Sequence, residues 1–206
     1  GVPEGRSRAS HDRQHGVSVR ISSLPGYARC PGSVVIQRKD DEEHGDERGT
    51  AANNGTAAGK LIELWHRAGE PANLADAGGA ALVSQQLPDL GAVDWEKVLP
   101  WVGGYCVDLR NRGSVVACYC ELEVKCALAP APEDPTGLPI DLVGHVDQIR
   151  RDAAGTLRVW DTKSGDRAGI DLLYSHAWQL AGYSVAATAT LGEPVLPGGV
   201  IRLRAY

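Results

Sequence analysis

Two aspartates and a lysine in the second half of the chain have the types and spacing of a hydrolytic metal site. Asp161 and Lys163 are separated by a single residue, Thr162. Because side chains alternate along a strand with a period of two, a strand here would hold this carboxylate and this ammonium on one face. Asp147 lies in the preceding apolar segment and reaches the same face if the two segments pair as neighbouring strands.

The chemistry predicted for this set is metal-assisted phosphodiester hydrolysis. Two carboxylates and the backbone carbonyl of Thr162 would form an all-oxygen site, which suits Mg²⁺ or Mn²⁺. A cation held by Asp147 and Asp161 can polarise a phosphate and lower the pKa of a bound water. Lys163 can orient that water, help to deprotonate it, or stabilise charge on the phosphate. The tripeptide Asp161 to Lys163 is weak evidence alone, since exposed strand ion pairs are common, so the combination with Asp147 carries the prediction.

Hydrophobic periodicity indicates which elements position these residues. Residues 142–150 and 156–163 read as strands joined by the turn Arg151-Asp152-Ala153-Ala154-Gly155, which predicts an antiparallel hairpin. The alternation from Val116 to Cys126 predicts a further strand with three cysteines on its apolar face. Core packing is favoured there over a metal site, because a one-residue gap between cysteines does not match usual zinc spacing. The other predicted elements are helices at 49–68, 95–109 and 171–191 and a last strand at 199–206.

Bulk properties narrow the class of protein. The chain has 206 residues and a formal net charge of −5, which disfavours coating of nucleic acid through bulk charge but permits a local basic groove. We expect one domain over residues 21–206, preceded by a polar tail at 1–20 with no apolar stretch typical of a signal peptide. No apolar run approaches the roughly 20 residues that span a bilayer. We therefore expect no membrane association. An odd number of cysteines without a secretory signal predicts a reducing cytoplasm.

Three motifs in order resemble the RecB-type branch of the PD-(D/E)XK nucleases. They are Gly144-x-x-Asp147 on one strand, Asp161-x-Lys163-x-Gly165 on the next, and Gln179-x-x-x-Tyr183 on a helix. That branch includes nuclease domains of bacterial helicase–nucleases, CRISPR-adaptation exonucleases and phage recombination exonucleases. The entry segment, Ser22 to Ser33 with its Cys30-Pro31 pair, is similar to the start of phage-encoded members. The resemblance covers about residues 21–187.

The resemblance implies an α/β fold with a restriction-endonuclease-like core, in which helices flank a mixed central β-sheet. It also implies that Asp147, Asp161 and the Thr162 carbonyl hold the metal and that Lys163 is the catalytic lysine. Gln179 and Tyr183 would contact DNA or support the active site, and their i, i+4 spacing places them on one helix face. The alternative is that Tyr183 packs in the core and Gln179 caps it.

One element departs from the family's pattern. The family usually has Gly-x-x-x-His on its first helix, with the His completing a metal site. Counting from Gly55 places Gly59 at that position, and aligning on Gly49 offers Asn53; neither is a good ligand. Glu63, one turn after Gly59, is the candidate replacement metal ligand, and His66 is nearby. The departure implies weaker metal binding, a one-metal site or reduced activity.

No iron–sulfur cluster is expected in this chain. The CRISPR-adaptation members often hold one with a single N-terminal cysteine and three C-terminal cysteines. Cys30 matches the first position, but no cysteine follows Cys126.

The function predicted on this basis is a Mg²⁺- or Mn²⁺-dependent DNA exonuclease in recombination, repair or phage DNA processing. Its partners would be DNA and a phage or host recombination protein. Two alternatives remain: a catalytically weak or inactive domain that binds DNA or a protein, and a restriction-type endonuclease. A phosphate-cradling NTPase is disfavoured, because no Gly-x-x-x-x-Gly-Lys-Ser/Thr segment occurs.

Overall fold

The computed structural model describes residues 17–29, 49–71, 74–112, 116–130, 132, 137, 139–164 and 171–203. The first half is mainly helical and the second half carries most of the sheet. A 3₁₀ turn, Ile21–Ser23, follows the first strand. The elements in chain order are β1 (Val17–Arg20), α1 (Leu24–Arg29), α2 (Thr50–Arg67), α3 (Ala77–Gln86), α4 (Trp95–Arg112), β2 (Val116–Leu128), β3 (Ile140–Arg151), β4 (Leu157–Ser164), α5 (Asp171–Leu191) and β5 (Val195–Leu203).

The five strands form one mixed sheet with β3 at its centre. β2 runs antiparallel to β3 along most of its length, and β4 pairs antiparallel with the opposite edge of β3 as the predicted hairpin. β1 pairs parallel with residues 140–143 of that same edge, and β5 continues the sheet parallel to β4. Residues 144–147 of β3 therefore lie in an opening between β1 and β4. The mixed sheet flanked by helices confirms the predicted fold class.

Two apolar clusters cover the sheet. One joins α5 to the strands and includes Ile149, Val159 and Leu180. Helix α5 lies close to α1 because Gly182 has no side chain. An added Cβ at Gly182 would stand 2.5 Å from Leu24 Cδ1. The second cluster joins α2, α3 and α4 to the end of β5, with Trp65 nearly fully buried. The active-site strands run between these two clusters.

The predicted helices are all present, but β1, the 3₁₀ turn, α1 and α3 were not predicted. Strand β1 lies inside the segment predicted as a polar tail, and it pairs with residues 140–143 of β3. The remaining tail, residues 1–16, and the Cys30-Pro31 pair lie outside the described residues. Helix α3 contains Ala77-Gly78-Gly79-Ala80, and glycines weaken a helix prediction. Its start is stabilised by Asp76, whose carboxylate accepts a hydrogen bond from Gly79 N at 3.0 Å.

Strand β2 is present, but its side-chain alternation reverses at Glu121. This residue has φ of 50°, in the left-handed region that non-glycine residues seldom adopt. Before the reversal Tyr119 packs against the α5 cluster, and after it Leu122 and Cys126 do. The prediction that Cys120 shares the apolar face of Leu122 is therefore wrong, because strict alternation does not continue through a left-handed residue. No described helix combines the length and apolar character needed to cross a membrane.

Candidate active site

Asp147 stands at the fork where β3 and β4 separate. The described β3–β4 pairing runs from Arg151 opposite Leu157 to Gln148 opposite Trp160. One residue further along β3, the side chain of Asp147 takes over the contact: its Oδ2 accepts a hydrogen bond from the backbone N–H of Thr162 at 2.6 Å. The fork therefore places one carboxylate against the backbone of the neighbouring strand.

Asp161 and Lys163 lie beside this fork on β4. Lys163 Nζ donates a hydrogen bond to Asp161 Oδ1 at 2.9 Å, and it is also 2.9 Å from Oδ2. Asp161 is only 1% exposed, whereas about a third of the Lys163 side chain is open to solvent. Within the described part of the chain, no donor makes a hydrogen bond to Asp161 Oδ2. A buried carboxylate oxygen without a donor is costly, which makes it a candidate ligand for a cation.

Gln179 and Tyr183 lie behind the strand that carries Asp161. Gln179 Nε2 donates to Asp161 Oδ1 at 3.2 Å and lies 3.4 Å from the Tyr183 hydroxyl. The Gln179 amide is held in turn by His176, whose Nδ1 is 2.9 Å from Oε1. Tyr183 belongs to the α5 cluster, and burial raises the pKa of its hydroxyl to about 12. Both side chains are buried, so in this arrangement Gln179 orients Asp161 and Tyr183 packs in the core.

The electrostatics of the fork disfavour a charged Asp147. Burial raises the pKa of the Asp147 carboxyl, and the nearby charges of Asp161 and Glu121 raise it further. The Thr162 N–H and Lys163 oppose this rise in pKa without cancelling it. Carboxylates crowded into a buried site are the arrangement that a divalent cation relieves.

The donor set at the fork fits an oxygen-preferring cation. Asp147 and the orphaned Asp161 Oδ2 supply two carboxylates on adjacent strands. The N–H and C=O of a strand residue point toward the same neighbouring strand, so the Thr162 carbonyl faces β3 as its N–H does. Over the residues that the structure describes, no three Asp, Glu, His or Cys side chains converge closely enough to enclose a metal by themselves. Backbone oxygen and water would have to complete the coordination, as is usual for Mg²⁺.

A cleft of about 530 Å³ opens in front of the fork, between the strands and helix α2. The strands contribute Asp147, Thr162 and Lys163 to its lining, and Glu121 contributes from β2. The helix contributes Gly55, Thr56, Gly59, Lys60, Glu63 and Arg67.

Gly59 is one of the two residues that the resemblance places at the family's first-helix His, and it faces this cleft without a side chain. An added Cβ at Gly59 would lie 3.8 Å from Glu121 Oε1, so the carboxylate from β2 stands where a helix side chain would extend. Sequence reasoning missed Glu121, because the left-handed backbone that turns it is not visible in an alternating pattern. Asn53 is occupied elsewhere, donating to the Ala92 carbonyl at 3.3 Å, and His66 Nε2 is 2.7 Å from the Tyr105 hydroxyl.

Glu63, the candidate replacement ligand, does line the cleft but is already paired. It is 4% exposed, and its two oxygens contact different cations: Oε2 lies 2.8 Å from Lys60 Nζ, and Oε1 lies 2.7 Å from the Arg67 guanidinium.

A buried polar network that includes Tyr105 of helix α4 fixes the strands beside the fork. Gln148 Oε1 accepts hydrogen bonds from Arg150 Nε at 2.8 Å and from the Tyr105 hydroxyl at 2.9 Å. Arg150 also donates to the Tyr105 hydroxyl at 2.6 Å, and its guanidinium stacks 5.5 Å from the centre of the Trp160 ring. These contacts join β3 to β4 at the last paired position before Asp147.

Comparisons with known proteins agree with this geometry. A family model described as the PD-(D/E)XK nuclease superfamily matches residues 19–205. No curated protein matches the sequence. Among solved structures, the crystal structure of SSO0001 is similar at a TM-score of 0.37 and 15% sequence identity, covering 96% of this chain and 68% of that one. A TM-score this low does not establish a shared fold, whereas the family model identifies the family. Because it matches nearly the whole chain, the chain belongs to the PD-(D/E)XK nuclease superfamily.

Proposed function

We propose that this protein is a Mg²⁺- or Mn²⁺-dependent deoxyribonuclease whose active site is the fork of β3 and β4. The observation that carries the proposal is the meeting of Asp147 and Asp161 at that fork, beside Lys163. Lys163 Nζ donates to Asp161 Oδ1, and the buried Oδ2 has no hydrogen-bond donor among the described residues. Phosphodiester hydrolysis needs an activated water and relief of charge on the phosphate.

Each residue of the site has a separate role in this proposal. Asp147 and Asp161 hold the cation together with the Thr162 carbonyl, and the Thr162 N–H fixes the Asp147 carboxylate. The bound metal supplies Lewis acidity and an acidified water. Lys163 orients the attacking water or stabilises charge on the phosphate, because its ammonium is held at the edge of the cleft. Gln179 supports Asp161 from behind.

We further propose that the enzyme is an exonuclease that acts on DNA ends in recombination, repair or phage DNA processing in the cytoplasm, with a phage or host recombination protein as partner. This finer assignment depends on the RecB-type spacing of the motifs, from Gly144 to Tyr183, and is an argument by analogy.

A second candidate function is a domain of this fold that binds DNA or a protein without cleaving DNA. It is favoured by one observation, the bare helix position at Gly59. One observation opposes it. Burial and like charges raise the pKa of Asp147, so keeping this carboxyl beside Asp161 and Lys163 costs folding free energy.

The experiment that tests the proposal measures the degradation of end-labelled linear DNA and of closed circular DNA in the presence of Mg²⁺ or Mn²⁺. We expect degradation of linear DNA alone, and loss of at least about 100-fold in rate on Lys163→Ala. Lys125→Ala is the matched control, because Lys125 is also a strand lysine with a carboxylate partner, 2.8 Å from Asp141. Cleavage of circular DNA would replace the exonuclease assignment with an endonuclease. No cleavage by folded protein with either metal would support the binding domain instead.

A further inference from the structure

We propose that Lys60 and Arg67 form a phosphate clamp on helix α2, which binds the DNA backbone beside the phosphate that is cut. The inference depends on the proposed nuclease function and adds a binding site to it. It also gives Glu63 a different role from that of a metal ligand: Glu63 holds the two cations in place.

The clamp residues share one face of α2. Lys60, Glu63 and Arg67 are spaced by three and four residues, which places them next to one another on a helix. All three line the cleft that contains Asp147 and Lys163. Lys60 is largely shielded and Arg67 is 64% exposed, so the first lies deeper in the cleft and the second at its mouth.

Glu63 is placed to organise these cations. A carboxylate that is 4% exposed needs compensation for its lost hydration, and the two ion pairs, at 2.8 Å and 2.7 Å, provide it. Because each Glu63 oxygen already contacts a cation, a metal bound there would compete with Lys60 and Arg67 for the carboxylate. Cations already held in position lose less conformational entropy when they meet a phosphate.

Before the clamp begins, the residues of α2 that line the cleft are small. Gly55, Thr56 and Gly59 line the same cleft without a long side chain, and an added Cβ at Gly55 would stand 3.0 Å from Ser164 Oγ. At Gly55 the helix therefore lies close to the end of β4, and the cations of the clamp begin one residue beyond Gly59. Lys60 and Arg67 are seven residues apart, about 10 Å along the helix axis, so they extend away from the bare segment.

The charge of the clamp identifies its ligand class. On the helix wall of the cleft Lys60 and Arg67 contribute +2 and Glu63 contributes −1. The Glu121 carboxyl of β2 lies near them on the strand wall. Lysine and arginine are the usual partners of phosphate oxygens, and such contacts carry no sequence information. The clamp therefore recognises the sugar-phosphate backbone and not the bases.

The test measures how salt weakens binding of a single-stranded oligonucleotide, with Ca²⁺ in place of Mg²⁺ to limit cleavage. The variant is Lys60→Gln with Arg67→Gln. Loss of two phosphate contacts should lower affinity for every sequence tested and reduce the slope of log affinity against log salt by about 1.4. The control, Lys97→Gln with Arg151→Gln, removes two cations with carboxylate partners, Asp94 at 2.8 Å and Glu193 at 3.2 Å, that do not line the cleft. It should leave the slope unchanged.

Glu63→Gln separates the two roles of that residue. If Glu63 holds the cations, the substitution weakens DNA binding and leaves Mn²⁺ affinity, measured by calorimetry without DNA, within about twofold. A loss of Mn²⁺ affinity of tenfold or more would overturn this assignment, since metal ligation would then be its role. An unchanged salt slope in the double variant, from a parent that binds DNA, would overturn the clamp alone. A parent that binds no DNA would overturn the nuclease function and the clamp with it.

Discussion

At the scale of single residues, the site depends on which atoms are left without partners. Asp161 is buried, bonded by Lys163 and Gln179 at one oxygen, and lacks a donor at the other among the described residues. Asp147 is fixed by one backbone N–H. This leaves a buried carboxylate oxygen without a hydrogen-bond donor next to a carboxyl whose pKa is raised, an arrangement that favours a bound cation at the fork.

The bare position on α2 leads to a prediction about metal affinity. Gly59→His would restore the family's usual residue, and the new Cβ meets Glu121 Oε1 only at an ordinary van der Waals distance of 3.8 Å. We expect Mn²⁺ to bind about tenfold more tightly, because an imidazole adds a ligand that the parent lacks. Gly59→Ala is the control, since it adds the Cβ and the helix propensity without the ligand. Equal affinities in calorimetry for the two variants would show that the helix does not reach the metal.

At the scale of elements, the fork is set by what holds β3 and β4 together just before they part. Arg150 is 7% exposed and is bonded to neutral acceptors, Gln148 and Tyr105. Burying a guanidinium costs desolvation free energy unless its hydrogen bonds are made. This network therefore specifies one arrangement of the two strands. The strand geometry around Asp147 thereby depends on helix α4, which supplies Tyr105.

Arg150→Met tests this dependence. The substitution keeps apolar volume but removes the hydrogen bonds that Arg150 donates to Gln148 and Tyr105. We therefore expect the free energy of unfolding to fall by about 1–3 kcal/mol. Arg158→Met is a close control, because Arg158 lies directly opposite Arg150 in the β3–β4 register yet is far more exposed and pairs with Asp152. Its effect should stay within about 0.5 kcal/mol. If denaturant unfolding gives the two variants the same free energy of unfolding, the network does not hold the fork.

At the scale of the whole molecule, the site imposes a cost on folding when no metal is bound. Burial raises the pKa of Asp147 from 3.8 to about 7 in the folded protein. As pH rises from about 4 the unfolded chain releases this proton first, so the folded state is progressively disfavoured until pH passes about 7. The active site is thus maintained against stability, as expected for a functional cluster.

Asp147→Asn should remove this pH dependence. Asparagine retains an oxygen that can accept from Thr162 N–H but carries no charge. In metal-free buffer the variant should be more stable than the parent by a few kcal/mol near pH 8 and equal to it near pH 4. Mn²⁺ should raise the melting temperature of the parent at pH 8 and not that of the variant. A parent and variant with parallel stability curves from pH 4 to 8 would show that Asp147 is not strained by its surroundings.

The sequence alone determined strands β3 and β4, the long helices and the positions of Asp147, Asp161 and Lys163 on these strands. These follow from local rules: alternation places Asp161 and Lys163 on one face, and the turn after Arg151 sets the hairpin that brings Asp147 alongside. Helix α5 was predicted with both of its ends because its apolar pattern is long. Family membership follows from the same motifs, because their order and spacing are properties of the chain.

Only the tertiary structure decided how the cleft in front of the fork is built. The left-handed backbone at Glu121, the pairing of Glu63 with Lys60 and Arg67, and the burial of Arg150 arise from contacts between distant segments. Local propensity contains no information on such contacts. β1 and α3 were missed for the same reason: a four-residue strand and a glycine-containing helix are stabilised by the elements they pack against.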